Sequence, residues 1–205
     1  MALAVLTVGA LRLALPEGFA LLPTWVFEAL LLAFLVVLII GDPGRVDRER
    51  PWLRVITELM IGLIAVTNAV AVGRLVVGIL DNAAFSTAPD LLRVGGVVWI
   101  TNVLTFALWF WDLDAGGAAA RANGSPNHRV GFIFPEYTNP ELVEPGWFPR
   151  FVDYLALSFN TAMAFSPTDV AAVRPWAKLL LMAESMVSLL VAVLVLARAI
   201  NILPT

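Results

Sequence analysis

Long apolar runs alternate along this chain with short polar, glycine or proline breaks. Apolar runs that are long and nearly free of charge predict membrane helices, because crossing the hydrocarbon layer takes about 20 residues. The first run, residues 2–15, is short and carries one charge, Arg12. It has no basic start, and no small-residue cleavage site precedes Pro16, so a retained short helix is expected rather than a signal peptide. Such a helix lies tilted or in the interface, or spans with a short end. Pro16-Glu17-Gly18 breaks the chain. Thr24 to Ile40 is the most hydrophobic run, with Trp25 where an interfacial aromatic belongs. Gly41-Asp42-Pro43-Gly44 ends it, and Pro51 suits the first turn of a third helix reaching about Leu80. After Asp81-Asn82 and a loop over 83–90, a further span is expected from about Asp90 to Trp111. It closes on Trp109-Phe110-Trp111-Asp112, an aromatic belt followed by a charge.

The pattern changes over residues 114–150, where glycine, proline, asparagine and charge return. This stretch reads as an extramembrane loop, too short and proline-rich for a core of its own. Pro145-Gly146-Trp147-Phe148-Pro149 reads as an interfacial clamp at its end. Residues 150–164 predict a helix of half membrane length, broken by Phe165-Ser166-Pro167-Thr168-Asp169, and a last span runs over about 175–201. A half-length helix, a turn and then a full span is the layout of a re-entrant loop. Such backbone is tolerated at membrane depth only where protein or water surrounds it. The expected fold is all-α: a polytopic membrane protein with about five membrane helices, plus a short re-entrant helix before the last one. Two units follow, an N-terminal set of helices over 1–88 and a pore-module-like unit over 89–205.

Composition agrees and excludes other classes. Sixty per cent of the 205 residues are apolar, 14% are charged, and the mean hydropathy is +0.87. Soluble domains run about 45–50% apolar and about 25% charged, so the lipid bilayer is the expected partner. The net charge is −3, without a basic block for nucleic acid. There is no cysteine, and the single histidine, His128, cannot build a metal centre, so no metal or cofactor is expected. With residues 42–54 placed in the cytoplasm, Arg45, Arg48, Arg50, Arg54, Arg121, Arg129, Arg150, Arg174 and Lys178 fall inside. Arg12, Arg74, Arg93 and Arg198 fall on the other side. The positive-inside rule favours this orientation, in a multi-pass protein of a bacterial inner (plasma) membrane.

Polar residues inside the spans are the candidate chemistry. Asn68 and Arg74 lie in the third helix, Asn102 and Thr105 in the fourth, and Glu184, Ser185 and Ser188 in the last. Glu184 and Ser188, four apart, share a helix face. Charged groups at this depth are costly and turn towards the bundle interior or a wet cavity. Asn68, Asn102, Glu184, Ser188 and Arg74 are therefore candidates for a polar path or ion site, with an Arg74–Glu184 pair as one arrangement. The plainer reading is interhelical hydrogen bonding that fixes packing. Gly95-Gly96 allows close approach of a neighbouring helix. No nucleophile–base pair or metal cluster is visible, so no enzyme activity is expected.

The stretch from Phe151 to Leu203 resembles the pore module of the two-transmembrane potassium-channel superfamily. Residues 154–161, YLALSFNT, match the pore helix, Thr161-Ala162-Met163-Ala164-Phe165-Ser166 the filter, and 175–198 the inner helix, with Glu184 where that family often carries Glu. The resemblance implies that Thr161, Met163, Ala164, Phe165, Ser166, Thr168 and Asp169 line a path for an ion or small solute. It also implies a homo-oligomer, tetrameric if a pore forms and dimeric otherwise. Ala164 and Ser166 stand where filter glycines belong, and Pro167 removes a donor, so a potassium filter is not expected. The arginines also place this loop inside, whereas the channels carry it outside. In pattern the chain is also similar to uncharacterised bacterial integral membrane proteins of the DUF1345 type, which end in a short helix, a Ser-Asp or Ser-Pro-Thr-Asp turn and a final helix. Two expectations follow: a weakly selective or non-conducting relative of pore-loop channels, or a structural or partner-binding membrane subunit. In the second, Ser166-Pro167-Thr168-Asp169 is only a capped turn.

Overall fold

The computed structural model describes residues 1–41, 51–81, 85, 87–122, 130–163 and 169–202. The main elements are α1 (Ala2–Leu13), α2 (Thr24–Gly41), α3 (Pro51–Leu80), α4 (Ala88–Leu113), α5 (Ala118–Ala122), β1 (Phe132–Ile133), α6 (Pro135–Thr138), α7 (Phe151–Met163), β2 (Ala171–Ala172) and α8 (Pro175–Ile202). The fold is all-α, its only pairing among the described residues being the antiparallel two-residue contact of β1 with β2.

Among the described residues, four helices are long and apolar enough to cross a membrane: Thr24–Gly41, Trp52–Leu80, Ala88–Gly116 and Pro175–Ile202. At about 1.5 Å per residue, each reaches or approaches the roughly 30 Å hydrocarbon thickness. The 12 residues of α1 make about 18 Å and do not cross unaided. Four long apolar helices and the short apolar α1 together make up the about five membrane helices that the apolar pattern predicts.

Helix α4 begins two residues before the apolar pattern suggests, because Thr87 caps it. The Thr87 hydroxyl accepts from the Asp90 amide at 3.4 Å and donates to the Asp90 carboxylate at 2.7 Å. This helix is the hub of the bundle, packing on α1, α3, α7 and α8. Gly95 makes the α8 contact possible, since a Cβ there would lie 2.7 Å from Val195 Cγ2. Elsewhere α2, α3 and α8 turn Val36, Ile39, Leu59, Val66, Met182 and Met186 outwards. In water that would be an aggregation surface; in a bilayer it is the lipid face.

The apolar interior has three parts. Leu75, Leu91, Val98 and Val191 join α3, α4 and α8. Val5, Phe27, Ile64 and Leu108 join α1 to α4. Phe110, Phe132, Phe134, Tyr154 and Ala177 form the third, whose rings meet edge-on at 5.1–6.4 Å. Here part of the stretch expected as an extramembrane loop over 114–150 docks into the bundle. Phe132 and Phe134 are fully buried, while Ile133 between them is exposed. The segment lends two aromatics to a core shared with α4, α7 and α8. A single alternation three residues long, in a polar stretch, is too weak a signal to reveal that docking.

The contacts of α7 fix its course. Near its start, Tyr154 reaches Asp114 at the end of α4. Further on, Ser158 bonds the Val103 carbonyl, Phe159 meets Trp99, and the Thr161 carbonyl accepts from Ser185. Both Thr161 and Ser185 lie ten residues beyond the starts of their helices, so α7 and α8 enter from one end and run side by side for roughly 15 Å. By Ala171–Ala172 the described chain is back at that end, paired with β1.

Candidate functional site

The helix packing gathers several of the intramembrane polar residues into one place. Asn68 of α3 donates from Nδ2 to Asn102 Oδ1 of α4 at 2.9 Å, and Asn102 donates from its own Nδ2 to Ser188 Oγ of α8 at 3.0 Å. All three are buried. One turn earlier on the same face of α8, Glu184 is fully buried. Its Oε1 meets Ser158 Oγ of α7, and its Oε2 has no partner among the described residues. Ser158 Oγ also lies 2.7 Å from the Val103 carbonyl oxygen. A serine hydroxyl has one hydrogen and here faces two oxygens. If that hydrogen goes to Val103, the contact with Glu184 is satisfied by a carboxyl donating its own proton. Ser158 entered the sequence reading only as part of the pore-helix match. Its position three residues before Thr161 is the signal that places the two on one face.

The other candidates separate. Thr161 is buried, its hydroxyl returned to the Leu157 carbonyl at 2.8 Å. Thr105 likewise bonds the Thr101 carbonyl within its own helix. Met163 and Asp169 are exposed. Ala164, Phe165, Ser166 and Thr168 lie outside the described residues, as does His128. Arg74 does not pair with Glu184. It is exposed and donates through Nη1 to the carbonyls of Gly18 at 3.1 Å and Ala20 at 2.5 Å. The physical reason is depth: Arg74 sits near the α3 end beside the α1–α2 connection, where free loop carbonyls meet a guanidinium more cheaply than an interior carboxyl does. Trp109 and Trp111 are partly buried, and Trp111 packs edge-on against Phe151 at 6.3 Å.

At the opposite end of the bundle, a second buried polar cluster fastens the 114–150 segment. The Asp114 carboxylate accepts from the amides of Gly131 at 2.7 Å and Phe132 at 3.3 Å, and from the Tyr154 hydroxyl at 2.6 Å. Arg121 donates to the carbonyls of Asp114 at 2.5 Å and Trp111 at 2.7 Å, and its guanidinium lies 5.0 Å from the Tyr154 ring centre. The turn that brings Arg121 back needs positive φ at Ala115, Gly116 and Gly117; for Ala115 that conformation carries strain. Nearby, burial pushes the Tyr137 phenol up from its ordinary pKa, the Asp114 charge adds to this, and Arg121 opposes it. The sequence carries no periodic signal for this cluster, in which Asp114 and Tyr154 are 40 residues apart. Among the described residues, no group of three or more histidine or acidic side chains is placed to hold a metal ion.

Comparison with protein-family models, curated proteins and solved structures gives no match. The fold and its lipid-facing surface define a class, a multi-pass integral membrane protein.

Proposed function

We propose that this chain is an ion-handling protein of a bacterial inner membrane, a homo-oligomeric relative of pore-loop channels. In it, a buried carboxyl takes the place of a carbonyl filter. One observation carries the reading. Glu184, deep in a candidate span, meets only the Ser158 hydroxyl, and its second oxygen is unpartnered among the described residues. Such a carboxyl is stable when it carries a proton, or a cation that replaces it. The re-entrant course of α7 supports the same reading, because it brings Ser158 to the depth of Glu184. The test is flux through liposomes holding the purified chain. Proton or monovalent-cation flux above empty vesicles, abolished by Glu184→Gln in a folded protein, is the expected result. No flux from the unaltered chain sinks the proposal.

A second reading, a partner-binding subunit without transport, rests on a different surface. Ile133, Tyr137, Leu142 and Phe148 are exposed on the segment outside the spans. It predicts no flux, and loss of a co-purifying protein on Leu142→Glu. Deleting 114–150 would not test it, since Asp114, Phe132 and Phe134 belong to the buried interior.

A further inference from the structure

A small recess lies among α1, α2, α3 and α4, with Phe27 and Val98 in its apolar wall and with Arg12 and Asn68 also lining it. Both polar residues are more than nine-tenths buried, at 8% and 6% exposed. Arg12 donates from Nη2 to the Leu22 carbonyl at 3.0 Å, and its guanidinium lies 5.7 Å from the Phe27 ring centre. Its Nε is buried without a partner among the described residues. Asn68 uses Nδ2 on Asn102, and its Oδ1 is buried and unpartnered in the same way. Thr67 and Thr101 complete the polar part of the lining. Their hydroxyls donate to carbonyls of their own helices and keep lone pairs that can accept.

Size and charge select the occupant. The centre of a water molecule can move within about 20 Å³ of the recess, and about 10–15 Å³ is enough to hold one water. Anything much larger is excluded. The Glu28 carboxyl stands beside Arg12, and its Oε1 is also buried without a partner among the described residues. Gly9 leaves room for that carboxyl, since a Cβ there would lie 2.7 Å from Glu28 Oε2. The guanidinium therefore has a counter-charge at hand. A small cation in the recess would be repelled by Arg12, and a small anion by Glu28. What fits is neutral, accepts one hydrogen bond and donates at least one.

We propose that the recess is a binding site for a single ordered water molecule. Its oxygen accepts from Arg12 Nε–H, one hydrogen goes to Asn68 Oδ1, and the second is within the reach of a threonine hydroxyl oxygen. About three hydrogen bonds are usual for a buried water. The water extends the chain of Asn68, Asn102 and Ser188 to Arg12, so that one hydrogen-bonded network runs through α1, α3, α4 and α8. Helix α1, too short to cross the membrane unaided, thereby gains a polar tie to three spans. This site does not need the ion-handling reading.

Crystals of the full, unaltered chain grown with bromide, at a resolution that shows ordered water, test the site directly. One density peak within hydrogen-bond distance of both Arg12 Nε and Asn68 Oδ1, without anomalous signal from bromine, is the expected result. No peak there overturns the proposal, and a bromine signal overturns it in favour of an anion. A double-mutant cycle of Arg12→Met with Asn68→Leu, read by unfolding in mixed micelles, tests the tie in solution. The two side chains share no direct hydrogen bond, so a water that joins them should couple their effects on the unfolding equilibrium by about threefold or more. Strict additivity overturns the proposal. Because the crystals use the unaltered chain, the site remains testable if a variant fails to fold.

Discussion

Tyr154→Phe removes a single oxygen from a fully buried ring, and its effect can be worked from the structure. Tyr154 is fully buried, and its ring packs edge-on against Phe132 and Phe134 at 6.4 and 5.2 Å between centres. Phenylalanine keeps those contacts and leaves no cavity large enough to matter. What is lost is the 2.6 Å bond from the hydroxyl to Asp114 Oδ2. A hydrogen bond to a charged group contributes about 1.5–3 kcal/mol. Asp114 is 1% exposed, so water cannot easily replace the lost donor. A loss in the upper half of that range, about 2–3 kcal/mol, is expected. The amides of Gly131 and Phe132 bond the other oxygen, so the first effect should be loosening of the 117–150 segment before the spans unfold. Unfolding in mixed micelles of rising denaturing-detergent fraction, followed by helical circular dichroism and by proteolysis of that segment, measures both. A double-mutant cycle with Asp114→Ala isolates the pair. A loss below about 0.5 kcal/mol, within the range of ordinary surface substitutions, refutes the reasoning. So does strict additivity in the cycle.

Other outcomes follow from particular contacts. Gly95→Leu should separate α4 from α8 and destabilise by about 1–3 kcal/mol or more, whereas Gly96→Ala, which meets nothing within 4 Å, should be nearly neutral; the same detergent titration compares them. Asn102→Leu removes the bonds to both Asn68 and Ser188. At about 0.6–1.7 kcal/mol for each interhelical bond it should cost roughly 1–3 kcal/mol, and a cycle with Ser188→Ala should give coupling in the single-bond range. Tyr137 should ionise above pH 10, as read by ultraviolet difference absorbance. Because its folded pKa is raised, its contribution to stability is complete below pH 10 and fades as pH climbs through the folded value. An ordinary tyrosine titration would contradict the placement of Tyr137 near the Asp114 charge.

The elements were legible because each depends on a local property. Whether residues 24–41 or 175–202 cross a bilayer is decided by length and apolar content, and Pro16-Glu17-Gly18 or Pro175 punctuates the chain wherever it sits in space. The half-length of α7 was equally local. Local capping still shifted one boundary, since the Thr87–Asp90 pair starts α4 earlier than the apolar run suggests.

Partners were not legible, because a partner is chosen by depth and rotation together. Asn68, Asn102, Glu184 and Ser188 were recognisable as costly polar groups, and their cost implied that they face inwards. That Asn102 bridges α3 and α8, while Glu184 meets Ser158 and not Arg74, depends on how closely α4 and α8 approach at Gly95. It also depends on α7 entering beside α8. Phe132 and Phe134 carried only a three-residue alternation and Asp114 none, because their burial comes from a chain reversal through Ala115–Gly117 that periodicity cannot encode. The sequence by itself determined a membrane protein with a short helix before its last span. Only the tertiary structure decided which polar groups meet inside it, because hydropathy is summed along the chain whereas hydrogen bonds are made across it.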